Sequence, residues 1–409
     1  MKPMGAIPAG FTVGAEGQLL IGGIDCETLI ARAGDTPLFV YDFALVRERI
    51  ARLRTALPDN VALHYAMKAN PLPALVNAVS GLVDGIDVAS VGEMNVALGT
   101  AIKHISFAGP GKRDRELEAA IIADVTINLE SEGEAKRAIS IGNRIGIAPK
   151  LAVRVNPSFD LRGSGMRMGG GAKPFGVDSD RAAALVKWVI GEGAHWMGFH
   201  IFAGSQALDA GAIAETQAQV IELAADLADV IGQTPPLVNL GGGFGIPYFP
   251  KEVPLDLGAV GDALSDSLEG RRACLKGSRF AIELGRYLVG EAGVYLCRIV
   301  DRKLSHGEVF LITDGGLHHQ LAASGNFGTV VKRNYPVGVA TKFDHPPTET
   351  ASIVGCLCTP LDRLADQVNL PKAQEGDVIA VFMAGAYGLS ASPSSFLGHP
   401  LPQELMVNI

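Results

Sequence analysis

From about residue 38 to 285, short apolar runs alternate with longer segments whose apolar residues recur at spacings of three and four. The first pattern is that of buried strands, the second that of amphipathic helices. The runs are LFVYD at 38, VALHYAMK at 61, GIDVAS at 85, ISFAGP at 105, VTINLE at 125, LAVRVNP at 151, WMGFHIFAG at 196, LVNLGGG at 237 and FAIELGR at 280. Between them the spacing predicts helices, among others over 43–56, 113–123, 178–190 and 212–230. Such alternation argues a parallel sheet, and the lack of a dinucleotide-binding glycine fingerprint argues a closed (β/α)8 barrel over an open sheet. Nine runs are one too many for that barrel, and the first is expected to lie outside it.

After residue 286 the helical pattern thins and strand-like runs dominate: VYLCRIV, EVFLITDG, ASIVGCLC and DVIAVFMAGAY, separated by Gly/Pro turns. This predicts a separate all-β domain of barrel or sandwich type. Residues 1–36, short apolar runs broken by glycine (GQLLIGGI), read as an edge hairpin that joins it. The expected organisation is therefore an α/β barrel domain over 37–285 and a β domain over 286–409 completed by 1–36. At 409 residues and 48% hydrophobic content the chain can build both cores.

Charge narrows the partners. The formal net charge is −8 with no Lys/Arg-rich block, which argues against nucleic acid and anionic membrane. No stretch of 18 uncharged apolar residues occurs and MKPMGAIPAGF lacks a continuous apolar core, so a soluble, cytoplasmic protein is expected. Five scattered cysteines, Cys26, Cys274, Cys297, Cys356 and Cys358, fit reduced thiols better than a disulfide framework.

In such barrels the chemistry sits at the C-terminal ends of the strands. There fall Lys68, Asp87, Arg154, His200 with Ser205, Gly241 to Gly243, and Glu283 with Arg286. A lysine at a strand mouth, its amine in a pocket, can lose its charge by desolvation and attack aldehydes, whereas the ordinary reading of any lysine is a solvated loop residue. NLGGGFG can cradle a phosphate with backbone N–H groups, though a glycine run after a strand is more often a plain turn. Arg286 supplies the natural bidentate phosphate partner. Lysine, phosphate cradle and carboxylate together match what pyridoxal phosphate needs: a Schiff base, an anchor and a partner for its ring nitrogen.

The motifs HYAMKANP, GIDVASVGE, SFAGPGK, HIFAGSQ, NLGGGFG, ELGRYLV, TDGG, GCLCTPLD and GAYGLS together resemble the fold-type III pyridoxal-phosphate decarboxylases, the family of ornithine, arginine and diaminopimelate decarboxylases. That resemblance implies that Lys68 forms the internal aldimine, that Glu283 pairs with the ring nitrogen and that His200 stacks on the ring. It further implies that Ser205, Gly242, Gly243, Arg286 and Tyr387 hold the phosphate, with Asp87 and Arg154 as the polar pair beneath the cofactor. The family is a homodimer that places a cysteine from the partner subunit in each site, and Cys358 matches that position. A thiol there can protonate the carbanion left when carbon dioxide departs.

Two departures matter. In diaminopimelate decarboxylases an arginine eight residues after the DGG aspartate binds the distal carboxylate, and the count from Asp314 gives Ala322. An acidic residue follows their site cysteine and recognises the distal amine, whereas Thr359 follows Cys358. The variants Leu317-His318-His319 and Cys358-Thr359-Pro360, with the FLGHPLP tail, instead resemble the butirosin-pathway decarboxylase, which acts on a carrier-tethered aminoacyl group, and the decarboxylases of exosortase A systems. The expected activity is removal of the α-carboxylate from a free amino acid or from an aminoacyl group on a carrier protein. Alternatives are diaminopimelate decarboxylase proper, a racemase on the related barrel and a non-catalytic regulator, the last disfavoured by the presence of Lys68, Glu283, Arg286 and Cys358. Arg162 and Arg167, in LRGSGMRMGGG, stand as candidates to reach a distal carboxylate or a carrier's phosphate. No metal is expected: Cys356 and Cys358 with His318-His319 make a poor site, since two neighbouring histidines on a strand face opposite ways.

Overall fold

The computed structural model describes residues 2–163, 165–167, 169–325 and 333–409, with backbone only at 166 and 167. It divides into two compact units, Ile50–Ile246 with Pro254–Gly285, and Met1–Arg49 with Pro247–Val253 and Arg286–Ile409.

The first unit is a closed barrel of eight parallel strands: β1 (Val61–Ala66), β2 (Gly85–Val88), β3 (Ile105–Phe107), β4 (Thr126–Leu129), β5 (Lys150–Asn156), β6 (His195–Ile201), β7 (Leu237–Asn239) and β8 (Arg279–Leu284). Each pairs with the next in chain order, and β8 closes on β1 with Glu283 opposite His64. Their sequences run almost continuously apolar because one face meets the barrel interior and the other the helical layer. Helix starts are fixed by side chains. Ser90 accepts from the Glu93 N–H while Glu93 accepts from the Ala89 N–H, so much of the VASVGE motif is a helix cap.

Barrel residues begin at Ile50, not at 37. The run Leu38–Asp42 lies outside the barrel, buried at all five positions, and belongs to the second unit. There it pairs antiparallel with Gly293–Ser305 and parallel with Gln403–Val407. A strand covered on both faces has the same continuous apolar character in either setting; the strand count, not composition, put this run outside the barrel.

The second unit is a mixed sheet ordered Val337–Val339, Val378–Val381, Gly293–Ser305, Glu308–Thr313, Glu349–Val354 and Arg363–Leu370. Three short antiparallel strands, Thr12–Val13, Leu19–Ile21 and Ile24–Asp25, precede a helix over Cys26–Ala33 capped by Asp25. Several predicted strands stop early. EVFLIT ends at Thr313, ASIV at Val354 and VIAV at Val381, so TDGG, GCLC and AGAY leave the sheet as turns. Tyr387, in the last of these, has φ of 54°. No helix among the described residues is long and apolar enough to cross a membrane.

Candidate active site

In the barrel unit, β1 ends at Ala66 and passes into a 3₁₀ turn over Met67–Ala69 that carries Lys68. Buried Tyr65 secures the turn by donating its hydroxyl to the Asn70 carbonyl at 2.8 Å. Because β8 is the neighbour of β1, the Lys68 Nζ stands 4.0 Å from Glu283 Oε1. It also lies 5.4 Å from the centre of the Phe202 ring. The lysine side chain is 46% exposed, so burial does not supply the activation that the sequence argument invoked.

Glu283 is only 7% exposed, and its other oxygen lies 2.8 Å from His200 Nε2. Burial by itself would raise this carboxyl, but the hydrogen bond and charge of His200, with the charges of Lys68 and Arg154, hold it below the ordinary carboxylate value. Glu283 is therefore an ionised acceptor aimed at the strand mouth. His200 Nδ1 is buried with no partner among the described residues.

The glycine loop leaves β7 after Asn239, whose side-chain oxygen accepts from the Gly241 N–H at 2.9 Å. A Cβ on Gly242 would sit 1.9 Å from the Glu283 carbonyl, and one on Gly243, at φ of 86°, would meet the Gly204 carbonyl at 2.7 Å. Only glycine lets this backbone lie so close to β8 and to the segment holding Ser205. Ser205 is half-buried, and its backbone pairs with that of Met166.

Asp87 and Arg154 each have a partner of their own. Asp87 lies 3.4 Å from His64 Nδ1 and accepts from Ser106, which in turn accepts from Asn128. Burial would lower the His64 pKa, yet the charge of Asp87 leaves it raised. Arg154 donates to Glu130 at 2.7 Å, and Glu130 also accepts from the N–H groups of Gly109 and Gly176. His64 and Glu130 were not singled out in the sequence; residues 23 and 24 positions from their partners meet them only once strands are assigned as neighbours. A cavity of about 660 Å³ opens at the opposite end of the barrel, among His104, Lys150 and Arg279, and reaches inward to His64 and His200.

In the second unit, Arg286 lies with its guanidinium carbon 4.7 Å from the Tyr387 ring centre and 5.5 Å from that of Tyr248. Its Nη1 donates to the Tyr248 hydroxyl at 2.9 Å, while its buried Nε has no partner among the described residues. Tyr248, from the Pro247–Val253 segment, was missed in the sequence, where nothing marks this loop as part of the second unit. Cys358 is exposed in the turn after Val354, and Thr359 beside it is half-buried. Ala322 sits in a single 3₁₀ turn, Leu321–Ser324. Arg162 is exposed and 3.4 Å from Glu215; the Arg167 side chain lies outside the described residues.

The barrel residues fit pyridoxal phosphate: a half-exposed ammonium faces a buried carboxylate, and a glycine loop leaves no room for side chains. Residues 43–290 match the pyridoxal-binding domain of the pyridoxal-dependent decarboxylases. An L-glutamyl-(BtrI acyl-carrier protein) decarboxylase of Niallia circulans is 34% identical, covering 93% of this chain and 90% of that protein. A diaminopimelate decarboxylase of Aquifex aeolicus is 31% identical, covering 96% and 91%. The crystal structure of the Helicobacter pylori diaminopimelate decarboxylase complexed with L-lysine superposes with a TM-score of 0.82 at 26% identity, covering 93% and 94%. With that match spanning more than half of its length, the chain belongs to the pyridoxal-dependent decarboxylases and is a pyridoxal-phosphate-dependent amino-acid decarboxylase.

Proposed function

We propose that this decarboxylase acts on an acidic α-amino acid joined to a carrier protein through its side-chain carboxylate. The observation that carries the reading is the pair Ala322 and Thr359, which leaves the positions for a distal carboxylate and a distal amine without charge. Chemistry fixes the point of attachment: an aminoacyl group tethered through its α-carboxylate has no α-carboxylate to lose. Tethering through the side chain neutralises the distal carboxylate and so removes the need for a cation there. The Niallia relative, named for a glutamyl group on an acyl-carrier protein, agrees. Arg162, exposed and joined to Glu215 by an ion pair of little worth, is available to a carrier's phosphate. The test is carbon dioxide release from a carrier-linked glutamyl group against the same amino acid free; equal kcat/KM for both removes the carrier from the reading.

When bound, pyridoxal phosphate supplies an electron sink for the bond to the departing carboxylate. Lys68 would hold it covalently at Nζ, Glu283 would keep a proton on its ring nitrogen, and His200 would orient Glu283 while lying against the ring. Ser205, Gly242, Gly243, Arg286 and Tyr387 would bind its phosphate, with Asp87 and Arg154 flanking the barrel side. The purified protein should be yellow, and borohydride should fix a pyridoxyl group on Lys68. Peptide mapping that puts the adduct on another lysine removes Lys68 from this role.

The reading includes a cytoplasmic homodimer in which Cys358 serves the partner's site. Mixing inactive Lys68→Ala with inactive Cys358→Ala chains should then restore activity, because one site of each heterodimer carries neither lesion. Random reassortment puts about half the dimers in that form and returns about a quarter of wild-type sites. No recovery after demonstrated subunit exchange confines Cys358 to its own chain.

A further inference from the structure

Three chain segments meet in the second unit in a way that the decarboxylase chemistry does not use. Asp362 gathers two of them. Its carboxylate accepts from the Leu317 N–H at 2.7 Å and the Leu357 N–H at 2.8 Å, and fills space beside Gly316 and Gly355, where a Cβ would come within 2.2 and 2.3 Å of it. The turn carrying His318 and the turn carrying Cys356 are thereby held side by side. The third segment is the C-terminal stretch: His319 Nε2 donates to the Pro400 carbonyl at 3.0 Å, which leaves Nδ1 to accept from the Tyr295 hydroxyl at 3.0 Å. That bond brings His399, the residue before Pro400, against the other two.

The outcome is a cluster in which one nitrogen of His318, the sulfur of Cys356 and one nitrogen of His399 all lie within 4.8 Å of one another. Cys356 Sγ is 3.7 Å from His399 Nδ1. A second observation points the same way. His318 is 0% exposed, yet neither of its ring nitrogens has a hydrogen-bond partner among the described residues. A buried imidazole always carries a donor and an acceptor or two donors, and native structures rarely leave both idle. His318 and His319 do not lie on a strand: the strand ends at Thr313, and the two rings sit in a turn with their centres 3.7 Å apart and their planes tilted by 44°.

We propose that His318, Cys356 and His399 form a binding site for a borderline-soft divalent metal ion, with zinc the best match. Two imidazoles and a thiolate suit zinc and exclude magnesium and calcium, which demand oxygen ligands. In tetrahedral geometry these ligand atoms stand about 3.3 to 3.6 Å apart, so the cluster must close by only about 1 Å. Binding releases the Cys356 thiol proton to solvent and forms one metal–sulfur and two metal–nitrogen bonds, the fourth position falling to water. Cys358 follows Cys356 by two residues, so the metal would fasten the turn that presents the exposed thiol. Asp362 and His319 are positioning residues for the site.

The test uses full-length protein holding its cofactor, stripped of metal and equilibrated with zinc against a chelator of about micromolar affinity. One zinc per chain should be retained, and Cys356→Ser, His318→Asn and His399→Asn should each weaken retention about 10²-fold or more. Cobalt(II) should give a thiolate-to-metal charge-transfer band that Cys356→Ser abolishes, while the cofactor's own absorbance reports that the variant is folded. Where a change at buried His318 or at Cys356 costs the fold, half-buried His399→Asn alone decides. No zinc held by the wild type, or zinc held equally by the variants, overturns the site.

Discussion

Glu283→Gln is expected to leave pyridoxal phosphate bound while lowering turnover on the order of 10²-fold or more, about 3 kcal/mol of barrier at 1.36 kcal/mol per decade. In the proposed arrangement the cofactor would be attached at Lys68 and its phosphate held by other residues, neither involving the Glu283 side chain, so occupancy should survive. What is lost is the charge. The native carboxylate is kept ionised in a buried position by His200 at 2.8 Å and by Lys68 at 4.0 Å. An amide of the same shape keeps one hydrogen bond to His200 but cannot hold a proton on a ring nitrogen against that nitrogen's ordinary tendency to lose it. The measurement is single-turnover carbon dioxide release with cofactor content determined in parallel. Turnover near wild type at full occupancy would make Glu283 a structural residue.

The residues at strand ends were legible because barrel topology tells where chemistry sits before any side chain is placed. Lys68, His200 and Glu283 lie far apart in sequence, yet all sit near the C-terminal ends of β1, β6 and β8, and closure of β8 on β1 brings the first and last together. What stayed illegible depends on pairing across distant segments. The strand count put Leu38–Asp42 outside the barrel, where it lies, but burial on both faces removes the alternation that would have shown which strands it joins. Glu130 as the partner of Arg154, and Tyr248 as the partner of Arg286, come from loops whose sequences carry no distinguishing period. At His318-His319 a strand period was extended beyond Thr313 into a turn, where the two ring centres lie 3.7 Å apart.

Free meso-diaminopimelate is the substrate that separates this enzyme from the lysine-forming decarboxylases it resembles, and its kcat/KM should fall roughly 10² to 10⁴ below that of a native substrate. The diamino acid presents a second carboxylate and a second ammonium at its far end. In the proposed site Ala322 would not bind the first and Thr359 would not balance the second. Each lost charge-assisted contact in a desolvated pocket is typically worth about 1.5 to 3 kcal/mol. The two act on one substrate and so add only in part, which gives the range its width. Arg162 offers no replacement of equal strength, since an exposed guanidinium 3.4 Å from Glu215 gains little from exchanging one solvated carboxylate for another. A carrier-linked glutamyl substrate escapes both losses, its distal carboxylate being tied up in the linkage and its distal amine absent. The comparison is kcat/KM for the two substrates on one enzyme preparation. A value for the free diamino acid of about 10⁴ M⁻¹s⁻¹ or more, ordinary for a native substrate, would assign the enzyme to lysine formation whatever it does with the carrier.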